Sequence, residues 1–352
     1  MLGKILSLCA AIVWGVSCTS HAPQIEALCL RDAIGNYVLK WETNPEIEGT
    51  VRISVSDDSE RFEDKPVALT ANIRDGVATY ITNDNVTRKY FRLVFNEKYT
   101  RIVSARSSTM DNIQNFRDMG GYATGDGKIV KWGKVFRSGQ LDALSREDSI
   151  RINELGIRTI IDLRTEWEAA LHPTRYTNAR IVRIPITVGE TTDVIQRVVD
   201  GKMRKGDAQI FMEDEYLQFV TDNSDAFAQA LQVFLDADNY PILFTCSYGK
   251  DRSGFLGAML LTALKATRET ILTDYLTSNQ YISADHLMEM ASCLSTEAQE
   301  SITVFLTADE HLMDLAFRKI EKEYGSTEKY LSQGLRFDDN AQKRLRKILL
   351  YD

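Results

Sequence analysis

Cys246 and Arg252 are separated by five residues in the stretch Cys246-Ser247-Tyr248-Gly249-Lys250-Asp251-Arg252-Ser253-Gly254. A cysteine thiolate is a strong nucleophile. An arginine nearby presents a planar fork that grips two oxygens of an oxyanion. The pair is therefore equipped to attack an anionic centre and to hold its charge while it reacts. Ser253 adds a hydroxyl that can donate a hydrogen bond to the sulfur as it leaves such an intermediate. Sulfur-transfer sites also set a cysteine loop at a helix start, but Arg252-Ser253 argues against that chemistry.

Two elements must position these groups. Ile242-Leu243-Phe244 follows Pro241 and reads as a short buried strand. Phe255 to Leu261 is apolar throughout and long enough for a buried helix. A strand feeding a loop into a helix N-terminus points successive backbone N–H groups inward, and the helix dipole adds positive potential. The same field is expected to lower the thiol pKa of Cys246.

The loop resembles the phosphate-binding loop of cysteine-dependent phosphatases. Its fuller form, Cys246-x-x-Gly249-Lys250-Asp251-Arg252-Ser253-Gly254, resembles the bacterial secreted tyrosine phosphatase family, whose members also act on phosphoinositides. Further blocks carry the resemblance in the family's order: Asn115-Phe116-Arg117-Asp118-Met119-Gly120-Gly121-Tyr122, then Thr159-Ile160-Ile161-Asp162-Leu163-Arg164-Thr165 with Glu168 following. Asp274-Tyr275-Leu276-Thr277-Ser278-Asn279 and Tyr324-Gly325-Ser326 with Tyr330-Leu331 complete the set, which spans roughly Asn112 to Arg336.

The resemblance implies an α/β cysteine-dependent phosphatase fold with a central, mostly parallel sheet. It implies phosphomonoester hydrolysis through a cysteinyl-phosphate on Cys246, with Arg252 and the loop N–H groups stabilising the transition state. The family's favoured general acid falls on Asp251, and Asp118 and Asp162 are the alternatives. A carboxyl beside a positive loop tends to ionise, so Asp251 needs compensating burial or substrate charge to act as an acid. Asp162, at a strand's C-terminal end, is expected to orient Arg252 or Lys250 by ion pairing. Ser247, Tyr248, Gly249, Lys250, Asp162 and Arg117 form the expected substrate-binding set. Lys250 brings a second cation that suits additional phosphates, so phosphoinositides and inositol phosphates stand beside phosphotyrosine proteins as substrates. Thr245 departs from the family, which usually has a His there to hold loop backbone and help set the thiolate pKa. Neither a metal nor another cofactor is implied, and the four His are scattered.

The whole chain bounds this reading. Its 352 residues suit two domains, and 44% apolar with 26% charged residues is ordinary for a soluble globular protein. A net charge of −8 with no long basic run argues against general nucleic-acid binding. Met1 to Ser17 reads as a signal peptide: Lys4 is its charged end and Ile5 to Trp14 its apolar core, too short to span a membrane. Gly15-Val16-Ser17-Cys18 resembles a lipoprotein signal, although Gly15 stands where Leu is usual. Cys18 would then carry lipid and anchor an exported protein to a bacterial membrane, on its periplasmic or surface face. Such a compartment is oxidising, and Cys246 would be exposed to that chemistry. Cys29 and Cys293 read as buried small apolar residues rather than a disulfide.

Residues 23–107 alternate polar and apolar residues in runs such as Tyr37 to Glu42, Thr50 to Val55 and Tyr90 to Phe95. Short strands at this spacing suggest a small antiparallel sandwich. Trp41 and Tyr90 make it look similar to a fibronectin type III module, acting as a spacer or docking unit. Residues 108–352 alternate helix and strand, the mark of a parallel α/β sheet. A helix is expected from a Ser145 cap to about Gly156, strands over Ile157 to Leu163 and Ile181 to Ile186, and helices over Tyr216 to Asp236 and Arg268 to Gln280. Val188 to Asp214 carries the basic cluster Lys202-Met203-Arg204-Lys205, and family members place a lid there. A non-catalytic phosphate-binding or adhesion lipoprotein is the reading of another class, motivated by Thr245.

Overall fold

The structure, a computed structural model, describes residues 22–32, 34–107, 110–187, 194–283 and 294–351. The expected leader Met1 to Ser17, Cys18 and Cys293 lie outside the described residues. Period-two alternation builds the N-terminal unit. Tyr37, Leu39 and Trp41 of β2 (Tyr37–Asn44), Val51 and Ile53 of β3 (Thr50–Ser56) and Phe91, Leu93 and Phe95 of β6 (Tyr90–Phe95) all point into one core. With β1 (Gln24–Arg31), β4 (Val67–Asn72), β5 (Val77–Tyr80) and β7 (Tyr99–Ser104), they form two antiparallel sheets, ordered β1-β2-β5 and β4-β3-β6-β7.

A second sheet system follows, ordered β11-β10-β12-β9-β8. Its strands are β8 (Arg117–Asp118), β9 (Val135–Ser138), β10 (Thr159–Asp162), β11 (Arg180–Arg183) and β12 (Ile242–Thr245). All pairings are parallel except β8 with β9. Strands of such sheets are covered on both faces and read as continuous apolar runs. Phe136, Ile160 and Leu243 accordingly face one core, and Val135, Ile161 and Phe244 face another.

The helices are α1 (Arg146–Glu154), α2 (Glu166–Leu171), α3 (Val194–Val199), α4 (Lys205–Thr221), α5 (Ser224–Val233), α6 (Asp251–Ala263), α7 (Arg268–Leu276) and α8 (Ser278–Tyr281). After them come α9 (Thr296–Leu306), α10 (Glu310–Tyr324) and α11 (Asp339–Leu349). Helix α1 starts as expected: Ser145 Oγ accepts from Asp148 N at 2.9 Å, and the Asp148 carboxylate accepts from Ser145 N at 3.2 Å. The stretch Tyr216 to Asp236 is largely helical as expected, and it is built from two helices, α4 and α5. They part at Asn223, whose amide donates to the Thr187 and Gln218 carbonyls. The helix expected to Gln280 likewise divides after Leu276. The basic side chains Lys202, Arg204 and Lys205 are exposed, and the methionine among them is not. Met203 is buried against Val198, Ala208 and Ile302, and Lys202 pairs with Asp200 at 2.9 Å.

The two units share a wall. Trp132 packs with Phe62 and Tyr90, and Ser59 Oγ donates to the Trp132 carbonyl at 2.8 Å. Arg88 and Asp118 form an ion pair at 2.7 Å across that wall, nearly closed to solvent.

Candidate active site

Strand β12 is central in its sheet, and its C-terminal end is the crevice where parallel sheets bind ligands. Thr245 Oγ1 donates to the Gly139 carbonyl at 2.6 Å, so a hydroxyl ties the strand end to the chain leaving β9. Cys246 follows, buried at the mouth of the loop.

The loop's carbonyls are all turned outward and taken. Gln140 N donates to Ser247 O at 3.1 Å. Asn115 Nδ2 donates to Tyr248 O at 3.1 Å and Gly249 O at 2.8 Å. Arg137 Nη2 donates to Gly249 O at 2.7 Å and Lys250 O at 3.3 Å. Among the described residues, the amides of Ser247, Tyr248, Gly249 and Lys250 make no backbone hydrogen bond. A ring of such inward amides is an anion cradle, and the first turn of α6 completes it. Gly249 is required here: its φ is +66°, and a Cβ would lie 2.4 Å from the Ser138 carbonyl carbon.

Arg252 is gripped rather than free. Its Nη1 and Nη2 donate to Glu168 Oε2 and Oε1 at 2.6 and 2.7 Å, and Ser247 Oγ donates to the same Oε1 at 2.6 Å. Burial would raise the Glu168 pKa, but the Arg252 hydrogen bonds and charge outweigh it and hold the carboxyl at about 2. Burial opposes the charge on Arg252, yet Glu168 and Cys246 raise its pKa above the usual range. Arg252 Nε and Ser253 Oγ are buried with no partner among the described residues. An unpaired buried hydroxyl in the first turn of α6 has its proton free to donate.

Asp251 opens α6. Its Oδ1 accepts from Lys250 Nζ at 2.8 Å and from Tyr216 OH at 2.9 Å. The Tyr216 and Tyr275 hydroxyls lie 2.7 Å apart. Glu215, beside Tyr216 on the inward stripe of α4, is 7% exposed and makes no hydrogen bond or ion pair among the described residues. Burial first, then the Asp251 charge, pushes its pKa up to about 8.

Three expected roles need correction. Asp162 orients neither Arg252 nor Lys250. Its carboxylate is held by Arg164, two residues on, through Nε at 2.9 Å and Nη2 at 2.8 Å. Lys250 offers no open cation for a second phosphate, because its fully buried Nζ bonds Asp251 and the Thr307 carbonyl. Arg117 lies under the loop, fully buried, bonded to Asn115, the Asp274 carbonyl and Ser278 Oγ. Burial, then the Arg137 charge, lowers its pKa to about 10. It touches the loop only indirectly, through Asn115 and through the Asp274 carboxylate that also holds Arg137. Asp118, an alternative acid, is committed to Arg88 and to Gly120 N at 2.6 Å and Gly133 N at 2.7 Å. Tyr248 stays on the rim, 36% exposed.

Arg137, Tyr216 and Tyr275 carry site contacts that local sequence reading did not assign. Glu168 was visible only as the residue after a block, three positions from its cap Thr165. Its partner is 84 residues away, which no local pattern encodes.

The model of a family described as the tyrosine phosphatase family matches residues 108–351. A Cupriavidus necator protein carrying a provisional tyrosine-protein phosphatase name is 30% identical over 232 residues, which are 65% of this chain and 84% of that protein. The triple specificity protein phosphatase PtpB of Mycobacterium tuberculosis is 30% identical over 190 residues, 48% of this chain and 67% of the relative. The catalytic core of the PP-IP phosphatase SIW14 from S. cerevisiae aligns with 49% of this chain and 90% of its own, at 16% identity and a TM-score of 0.25.

Proposed function

The chain belongs to the tyrosine phosphatase family and is a phosphomonoester hydrolase; from that premise we propose that it acts by two displacements at Cys246. In the first, the thiolate sulfur attacks phosphorus. The S–P bond forms as the ester P–O bond breaks, and Asp251 gives a proton to the leaving oxygen. In the second, water attacks the cysteinyl-phosphate, the S–P bond breaks, and the water's proton passes to Asp251. Ser253 Oγ donates to the returning thiolate. Loop amides and Arg252 hold the equatorial oxygens, where phosphoryl transfer needs its charge stabilisation. The observation that carries this reading is the outward capture of the loop's carbonyls by Gln140, Asn115 and Arg137, which leaves its amides for an anion.

The proposed substrate is phosphotyrosine in protein, with Tyr248 on the rim to meet its ring. Phosphoinositides and inositol phosphates are the alternative within the same chemistry, and the relative named a triple specificity phosphatase supports testing both. Binding without turnover is set aside by membership of an enzyme family. We also propose export and lipidation at Cys18, supported by Lys4, the apolar run Ile5 to Trp14 and the small residues before Cys18. The three-on-four strand sandwich supports a fibronectin type III-like module.

Aryl-phosphate hydrolysis in EDTA, under reducing conditions, tests the mechanism. Wild type should turn over, Cys246→Ser should be inactive, and Asp251→Asn should lose about 10²-fold, the usual scale of general acid catalysis. Inactive, fully reduced wild type would sink the reading for aryl esters. A panel of phosphotyrosine peptides and phosphoinositides then separates the substrate classes.

A further inference from the structure

The two oxygens of Asp251 are not alike. Oδ1 accepts from Lys250 Nζ at 2.8 Å and from Tyr216 OH at 2.9 Å. Oδ2 makes no hydrogen bond or ion pair among the described residues. The side chain keeps 16% of its surface open, while both donors on Oδ1 are fully buried. An ammonium has donors and no acceptor, so a proton on Oδ1 would face a group that can only donate. It would also turn the Tyr216 hydroxyl from donor to acceptor. A proton on Oδ2 leaves both bonds as they stand.

We propose that Asp251 Oδ2 is the atom that gives and takes the catalytic proton, and that Tyr216 is the positioning residue that reserves it for that task. This deepens the two-displacement reading above and rests on it. As the ester P–O bond breaks, the Oδ2–H proton passes to the leaving oxygen and Asp251 becomes a carboxylate. When water attacks the cysteinyl-phosphate, one of its protons passes to Oδ2. Oδ1 accepts the same two hydrogen bonds before and after each transfer, so the carboxyl need not turn between the steps.

Tyr216 is fixed from outside the loop. It stands on the inward stripe of α4, tilted against Phe219 with ring centroids 5.1 Å apart. Its hydroxyl lies 2.7 Å from that of Tyr275 on α7. A tyrosine hydroxyl has a single proton, so Tyr216 donates to Asp251 and Tyr275 donates to Tyr216. Gly254 permits this approach, since a Cβ there would lie 3.0 Å from the Tyr275 ring. The other donor is fixed as well. Lys250 Nζ is also held by the Thr307 carbonyl at 3.1 Å. Asn279 pins the next residue, donating to Ala308 O at 2.9 Å and accepting from Ala308 N at 2.7 Å. Asp251 is therefore held between α4 and the turn after α9, with Oδ2 left over.

Leaving groups of different basicity read the assignment. Phenyl phosphate releases a basic phenoxide that needs the proton, whereas 4-nitrophenyl phosphate releases a much weaker base. Tyr216→Phe keeps the buried ring and removes only the donor on Oδ1. Its kcat/KM for phenyl phosphate should fall about tenfold, a part of what a general acid supplies, and for the 4-nitrophenyl ester less than about twofold. Inhibition by inorganic phosphate should stay at the wild-type level, because the amide cradle is untouched. Tyr275→Phe breaks the same hydroxyl pair but spares the Asp251 bond, so the ratio of the two kcat/KM values should remain that of wild type. Added to Asp251→Asn, Tyr216→Phe should cost little more, because both act through one group.

Equal losses on both esters in Tyr216→Phe would overturn the assignment. The same change of ratio in Tyr275→Phe, or a full further loss on top of Asp251→Asn, would also overturn it. So would weakened phosphate inhibition in Tyr216→Phe, which would mean that the loop itself had moved. Wild type inactive on 4-nitrophenyl phosphate would instead strike the two-displacement reading, and equal losses on both esters in Asp251→Asn would strike Asp251 as its acid.

Discussion

Glu168 decides where the Arg252 guanidinium points, through a two-bond fork at 2.6 and 2.7 Å. Replacing it by Gln removes the charge that fixes the fork and leaves Arg252 buried with a weaker partner. The expected loss in kcat/KM is about 10²-fold, the scale for disturbing one transition-state donor. Steady-state kinetics on an aryl phosphate checks it, and a near-wild-type value would mean that loop amides alone do the work. The same residue makes a pH prediction. Its folded pKa of about 2 lies below its ordinary 4.5. A depressed carboxyl stabilises the fold above the unfolded value, and that stability is lost as pH falls towards about 2. The gap corresponds to about 3 kcal/mol. Chemical denaturation from pH 6 downward should therefore fall more steeply in wild type than in Glu168→Gln, and parallel curves would refute the assignment.

At the scale of elements, the loop is a conformation enforced from outside. Asn115 and Arg137 pull its carbonyls away, and Gly249 lets the chain pass within touching distance of Ser138. A Gly249→Ala methyl would meet backbone, which cannot swing aside as a side chain could. The loop must shift, and a misplacement near 1 Å is worth about 10²-fold in rate. Inhibition by inorganic phosphate should weaken in parallel, and unchanged inhibition would show that the amide cradle is not the anion site. These elements differ in how openly the sequence declares them. Ile242 to Leu261 declared its strand, loop and helix, because apolar runs on both sides of a Cys-to-Arg spacing have few other meanings. The blocks around Asn115 and Asp274 were recognisable, but their joint task of holding the loop was not. Each contact there crosses more than a hundred residues. Asp162 shows the converse failure. Its strand-end place suggested a distant cation, while Arg164 two residues away could fold back and take both oxygens.

At the scale of the molecule, the sandwich is bound to the catalytic unit by a buried charge pair. Arg88 reaches Asp118 at 2.7 Å and also donates to Ser104 Oγ and the Ala105 carbonyl. Asp118 in turn fixes Gly120 N and Gly133 N, and it directly follows Arg117, the residue that bonds Asn115 beneath the loop. A continuous set of contacts therefore runs from the sandwich to the anion cradle. Removing one partner of a buried pair costs about 3–5 kcal/mol, because the other charge is left without compensation. Arg88→Ala should accordingly lower the melting temperature by roughly 10 °C. It should also reduce turnover, although Arg88 does not contact the loop. Asp118→Asn in the same chain removes the orphaned charge, so the double variant should be more stable than Arg88→Ala alone. Calorimetry of the full chain decides between the alternatives. A double variant that loses the sum of the two single effects would mean that Arg88 and Asp118 act independently, and the sandwich would then be a spacer rather than part of the support for the active-site loop.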